Sequence, residues 1–234
     1  MTPADLTLPD LVIFDFDGVL VDSEIIAADV EAKLLTAAGH RMEAADIAER
    51  YAGLTFRDIL IRIEKETGAI LQASIIDTCE KEVDRRLKSE VRAIEGAASA
   101  ISAVGPRSCI CSNSSGPRIA MLLEKTGLAP FFPGRIFSAF DTPSGKPKPS
   151  PDVFLYGAAQ MGADPAKTIV IEDSSHGVHA AKAAGMRVIG FAGGSHSWPG
   201  HADVLTEAGA ETVVRRHADL PATIKALMAW SEAV

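Results

Sequence analysis

The sequence is short of cysteine, of aromatic side chains and of positive charge, and these shortages close off several classes of protein. There are three cysteines in 234 residues, Cys79, Cys109 and Cys111, so they cannot all pair. Cys109 and Cys111 stand two apart on a predicted strand, a spacing poor for a mutual disulfide and unlike a CxxC metal pair. Reduced structural thiols are expected. With 31 acidic against 23 basic residues the formal charge is −8, which argues against nonspecific nucleic-acid binding. No run reaches the ~18 apolar residues of a spanning helix, and the opening MTPADLTLPD has neither a basic n-region nor an apolar h-region. A cytoplasmic protein with no membrane partner is the expectation. Internal repeats and low-complexity tracts are also missing, so an ordered chain is expected.

What is present is an ordinary globular composition, 47% hydrophobic and 23% charged, at a length that admits one large domain or two small ones. Leu11 to Phe14 is a wholly apolar run that stops at Asp15, as a strand buried on both faces of a parallel sheet reads. Ser23 then stands as the cap of a helix running to about Gly39. Further helical patterns follow at 43–52, from Thr55 to Gly68, and at 72–90. After Glu95 the rhythm changes to alternating elements. A helix ends near Gly105, a strand covers 107–111, and Pro117 opens a helix that Gly127 closes. Next come a strand at Ile136–Ser138, a helix capped by Ser150 and opened by Pro151, a strand at 168–172, a helix to Gly185, and strands at 187–191 and 211–214. A helix from about Pro221 ends the pattern. This order predicts an α/β doubly wound parallel sheet carrying an inserted four-helix cap, with a core of residues 1–22 and 93–234 and a cap of residues 23–92.

In such a sheet, ligands bind beyond the carboxyl ends of the strands. Those positions hold Asp15 and Asp17, Ser112 and Asn113, and Glu172 and Asp173, with Lys148 just before the Pro151 helix. Several carboxylates converging on one crevice need protons or a cation to neutralise them. Oxygen-only ligands suit a hard ion such as Mg²⁺, with Asp15 and Asp173 as metal carboxylates and a backbone carbonyl at Asp17. A metal-shielded Asp15 is placed to act as a nucleophile, and Asp17 as the acid and then the base. Lys148, Ser112 and Asn113 are the expected donors to a transferring phosphoryl group.

These residues resemble the signature of the haloacid dehalogenase superfamily. DFDGVLVDSE at 15–24 is similar to its DxDG motif and CSNSS at 111–115 to its strand-end Ser/Thr motif. KPSPD at 148–152 resembles its Lys motif, and IEDSSHGVHAAKAAGM at 171–186 its acidic pair. The resemblance implies an Mg²⁺-dependent phosphatase that forms an aspartyl phosphate on Asp15. It makes Asp17 the acid and base, Ser112 and Lys148 the phosphate binders, and Asp173 a metal ligand with Glu172 beside it. Its helical insertion points to the subgroup that holds beta-phosphoglucomutase and sugar-phosphate phosphatases, including 6-phosphogluconate phosphatases. The expected substrate is a sugar or sugar-acid phosphate, acted on by a monomer or small homo-oligomer. Mutases of this subgroup carry a histidine twelve residues after the nucleophile, where this chain has Ala27, so the mutase reading is the weaker.

Two functions stand against the phosphatase. Hydrolytic dehalogenation needs neither a metal nor a second carboxylate, so Asp17 and the Glu172–Asp173 pair count against it. A phospho-accepting receiver domain would hold its phosphate rather than turn over, and the helical insertion counts against that. Arg57 in the cap is a candidate for an anionic substrate group, beside its plain reading as an exposed helix arginine. Ser114 and Ser115 read as helix caps, His176 and His179 as a helix start rather than a zinc pair, and GGSHSWPGH at 193–201 as a surface turn, with contact of His196 or Trp198 with substrate as its alternative.

Overall fold

The structure is a computed structural model that describes residues 8–231. Residues 1–7, which carry most of the leader reading and the start of the expected core, lie outside the described residues, as do 232–234.

Six parallel strands form one sheet in the order β3-β2-β1-β4-β5-β6. They are β1 (Leu11–Phe14), β2 (Ser108–Ser112), β3 (Ile136–Ser138), β4 (Thr168–Glu172), β5 (Arg187–Phe191) and β6 (Thr212–Val214). Every residue of β1, β2 and β4 is buried, because helices cover both faces of the sheet. The chain winds outward from β1 through β2 to β3, then returns to β4 on the other side of β1. That reversal opens a crevice between the carboxyl ends of β1 and β4. The register pairs Phe14 with Ile171, and the Asp15 amide donates to the Ile171 carbonyl at 2.9 Å. Asp15 therefore leaves β1 level with Glu172 and Asp173.

Between β1 and β2 run four helices, α1 (Glu24–Ala37), α2 (Ala44–Arg50), α3 (Phe56–Thr67) and α4 (Ser74–Glu90). They are separated by Gly39, Gly53 and Gly68, and Gly68 closes α3 in the left-handed region that a side chain disfavours. The helices bury a core of their own, with Leu35, Ile47, Ile59 and Ile63 at its centre. A second face, Ile26 and Val30 of α1 with Val83 and Leu87 of α4, joins the apolar cluster beneath the sheet. The two connecting strands lie side by side: the Asp22 amide donates to Arg92 O and the Ile94 amide to Leu20 O, both at 3.0 Å.

The remaining helices are α5 (Ala97–Val104), α6 (Gly116–Thr126), α7 (Asp152–Met161), α8 (Ser175–Ala183), α9 (His201–Glu207) and α10 (Leu220–Ser231). Helix α9 was not expected. The two strands read at 107–111 and 211–214 shift by one residue at an end. Two expected caps are corrected. The Ser23 side chain makes no cap bond and turns to Asp17, and Pro151 rather than Ser150 holds the cap position of α7. All three cysteines are buried and free, as their spacing implied.

Candidate active site

Three buried carboxylates meet at the crevice between β1 and β4. Asp15, Glu172 and Asp173 bring one oxygen each to within 4.8 Å of the others. At that separation two unit charges repel by roughly 3–4 kcal/mol in an environment of effective dielectric about 20, so three cannot stand together uncompensated. Lys148 supplies part of the compensation. Its Nζ donates to Asp15 Oδ1 at 2.6 Å, to Glu172 Oε1 at 2.7 Å and to the Cys111 carbonyl at 2.9 Å, which uses all three of its protons. Burial works against the ammonium, but Asp15 and Glu172 outweigh it and push the Lys148 pKa up. Burial drives the Asp15 carboxyl well above its usual range; Lys148 opposes this, and the neighbouring carboxylates reinforce it. Lys148 thus compensates Asp15 and Glu172, and the third acid, Asp173, has His196 rather than the lysine beside it.

Lys148 is delivered by the turn before α7, where its peptide to Pro149 is cis. Asn113 clamps that turn: its Oδ1 accepts from the Lys148 amide at 2.8 Å, and its Nδ2 donates to the Lys148 carbonyl at 3.4 Å. The Asn113 side chain is thus occupied in fixing the lysine rather than turned toward a ligand. Glu172 is likewise held at both ends, because its Oε2 accepts from the Ser174 amide and hydroxyl at 3.1 and 3.0 Å. Gly177 makes room for it, since a Cβ there would fall 1.9 Å from the Glu172 carboxyl carbon.

Asp17 sits apart from the three-carboxylate group. Its Oδ1 accepts from Ser23 Oγ at 2.7 Å, and its Oδ2 accepts from Ser114 Oγ at 2.6 Å and Ser112 Oγ at 3.4 Å. Three serines from two segments, the start of α1 and the end of β2, therefore hold it, and Ser114, read from sequence as a cap alone, is one of them. Gly18 follows in the left-handed region at φ 72°, where a Cβ would lie 2.0 Å from Asp173 Oδ2. The DxDG turn can approach Asp173 only because that residue has no side chain.

The loop after β5 is the main correction to the sequence reading. GGSHSWPGH is not a surface turn: His196 and His201 are buried behind Asp173. His196 Nε2 lies 2.9 Å from Asp173 Oδ2, and this carboxylate outweighs burial and raises the imidazole pKa. Burial lowers that of His201. A neutral His201 donates from Nε2 to the Asp173 carbonyl at 2.6 Å, accepts from Ser197 Oγ at 3.0 Å on Nδ1, and stacks on Trp198 at 4.2 Å. Ser195 ties the loop to Asp22.

Above these groups lies a cleft of about 240 Å³, roofed by α1 and the α2–α3 segment. Asp15, Ser112, Asn113, Lys148, Glu172 and Asp173 line its floor. Arg57 is not brought there. It is exposed on α3, while its neighbours Leu54 and Thr55 line the cleft. His176 does line the cleft and packs against the cap, because a Cβ on Gly53 would fall 2.5 Å from its Nδ1.

Comparison with known proteins agrees with this architecture. The family model described as haloacid dehalogenase-like hydrolase matches residues 12–191. A solved haloacid dehalogenase-like protein of unknown function from Agrobacterium tumefaciens is 54% identical with a TM-score of 0.90, covering 93% of this chain and 98% of its own. A HAD family hydrolase from Deinococcus radiodurans, solved with bound phosphate and sodium, is 32% identical with a TM-score of 0.79 over 95% of this chain and 98% of its own. The 6-phosphogluconate phosphatase of Escherichia coli K12 is 29% identical over 81% of this chain and 86% of its own length. The doubly wound sheet and its acidic crevice define a hydrolase of the α/β class. The chain belongs to the haloacid dehalogenase-like hydrolase family. Among the described residues, no helix is long and apolar enough to cross a membrane.

Proposed function

We propose that the chain is a Mg²⁺-dependent phosphatase that releases phosphate from a small phosphorylated metabolite of the sugar-phosphate class, with Asp15 as nucleophile. The observation that carries this reading is the acid cluster at the crevice: three buried carboxylates bring oxygens to one point, with Lys148 against two of them and His196 behind the third. Asp15 Oδ2 has no hydrogen-bond partner among the described residues, since Lys148 takes Oδ1. Asp15 and Asp173, with the carbonyl of Asp17, fit a hard divalent ion, and Glu172 beside them anchors Lys148. When bound, Mg²⁺ supplies the positive charge that lets a carboxylate meet an anionic phosphoryl group.

In this reading, Asp15 Oδ2 forms a bond to phosphorus as the ester P–O bond breaks, and Asp17 gives its proton to the leaving alkoxide. Asp17 then takes a proton from water, whose oxygen bonds to phosphorus while the bond to Asp15 breaks. Inorganic phosphate leaves and both carboxylates are restored. Ser23 and Ser114 orient Asp17, Lys148 and the Ser112 hydroxyl serve the phosphoryl oxygens, and Asn113 acts through the Lys148 turn that its side chain clamps. We assign residues 23–92 to a cap that selects the leaving group and residues 1–22 and 93–234 to the catalytic core. Ala27 on α1 offers no acid or base for a mutase half-reaction, which favours hydrolysis.

A panel of sugar phosphates and sugar-acid phosphates, assayed for released phosphate with and without Mg²⁺, tests the reading. Release that requires Mg²⁺ and is lost in Asp15→Asn is expected. Isomerised sugar phosphate without release would replace it with the mutase.

A further inference from the structure

Helix α1 turns two carboxylates into the cleft. Glu24, Ala28 and Glu31 stand at the i, i+4 and i+7 spacing that shares one helical face, and all three line the cavity. The opposite face, Ile26 and Val30, is committed to the apolar core. The small Ala28 between the acids leaves open space there. Neither carboxylate has a hydrogen bond or an ion pair within the described structure, unlike Asp17 and Glu172, both of whose oxygens are held. Lys148 is the one Lys or Arg on the cavity wall, and its protons are spent on Asp15, Glu172 and Cys111. Three further polar atoms of the same wall are buried without partners, one of them Nδ1 of His196. The Tyr51 hydroxyl is unpaired although the residue is only 3% exposed, and the His176 Nδ1 atom is buried and unpaired. A ligand rich in hydroxyl or amine groups would satisfy them.

Desolvation of the carboxyl and the charges of Asp17 and Asp173, opposed by His196 and Arg118, hold Glu24 up at about 7, although the residue as a whole is exposed. Burial and Glu24 itself lift Glu31 to about 8. Both carboxyls therefore hold their protons up to about neutral pH, and an anion brought against them would have to be met by a further proton, while a cation or hydroxyl group would not.

We infer that Glu24 and Glu31 are specificity-determining residues that admit a neutral polyhydroxyl or amine-bearing leaving group and reject one carrying a second anion. The inference rests on the phosphatase reading for which end of the ligand faces α1, and it narrows that reading away from sugar acids. Three probes share a six-carbon skeleton and a terminal phosphate and differ in charge at the far end: 6-phosphogluconate (carboxylate), glucose 6-phosphate (neutral) and glucosamine 6-phosphate (amine). Their affinities are measured by calorimetry on Asp15→Asn with Mg²⁺ present, where no turnover intrudes, and as competitors of p-nitrophenyl phosphate hydrolysis by the wild type. The acid should bind at least about tenfold more weakly than the neutral sugar, and the amine at least as tightly as the neutral sugar. In Glu24→Gln/Glu31→Gln, and in Glu31→Gln alone should the pair fold poorly, the penalty on the acid should shrink to about threefold or less. Equal or tighter binding of the acid, a penalty untouched by the Gln variants, or binding by none of the three would overturn the inference. The phosphatase reading is decided separately, by Mg²⁺-dependent release of p-nitrophenol, so either can fail without the other.

Discussion

A carboxylate's neighbours decide its work here more than its place in a motif does. Asp15 and Asp17 stand two apart, yet one lies in a buried cluster against an ammonium and the other is held by serine hydroxyls alone. Two environments for two acids is the arrangement that separates a nucleophile from a proton carrier. Away from the cleft, His217 offers a clean titration. Fully buried against Phe191, with ring centroids 4.4 Å apart, it is held by burial at a pKa of about 4. The folded protein therefore stays unprotonated where the unfolded chain takes up a proton. Stability should be lost as pH falls from about 6.5, the unfolded value, and the loss should level off below about 4, on the order of 3 kcal/mol in all. Denaturant unfolding of wild type and His217→Phe at a series of pH values checks this: the difference between them should shift across that window, while the contributions of Glu24 and Glu31 cancel. A difference independent of pH would mean that His217 takes up its proton in the fold as it does in the unfolded chain.

At the scale of elements, the approach of α8 to β4 is set by a missing side chain. Gly177 at the start of α8 faces Glu172 so closely that Gly177→Ala must displace either the helix or the carboxylate that anchors Lys148. A loss of about 1–3 kcal/mol from overpacking, with a roughly tenfold or greater drop in kcat/KM from the misplaced lysine, is expected. Thermal melts and steady-state kinetics would read both, and unchanged kcat/KM would contradict the role given to Glu172. The same scale shows what could be read in the sequence. β1, β4 and β5 were legible because strands buried on both faces are continuous apolar runs. Helix α9 was not, because it spans only His201–Glu207 and follows a Gly, Ser and Pro-rich stretch with the composition of a turn. The burial of His196 and His201 comes from β4, distant in the chain, and no local pattern encodes it. Ser23 and Ser114 sit where helix caps sit, so their attachment to Asp17 was hidden behind a local signal. For Arg57 the plainer of its two readings holds: its neighbours Leu54 and Thr55 line the cleft, but Arg57 itself is an exposed arginine of α3.

For the molecule as a whole, the winding of one sheet places the ends of β1 and β4 together, and a helical insertion after β1 closes over them. The floor of the cleft comes from the strand ends and its roof from the insertion, with α1 contributing two acids. Chemistry and selectivity thus belong to different segments of the chain. The most direct test of the central claim is to quench the wild type during turnover of p-nitrophenyl phosphate with Mg²⁺, reduce with borohydride, and map the modified peptide by mass spectrometry. An acyl phosphate is reduced where a free carboxylate is not, so the modification should fall on Asp15 and be absent in Asp15→Asn. Modification of a different carboxylate, or full phosphate release by Asp15→Asn, would contradict the assignment of Asp15 as the nucleophile.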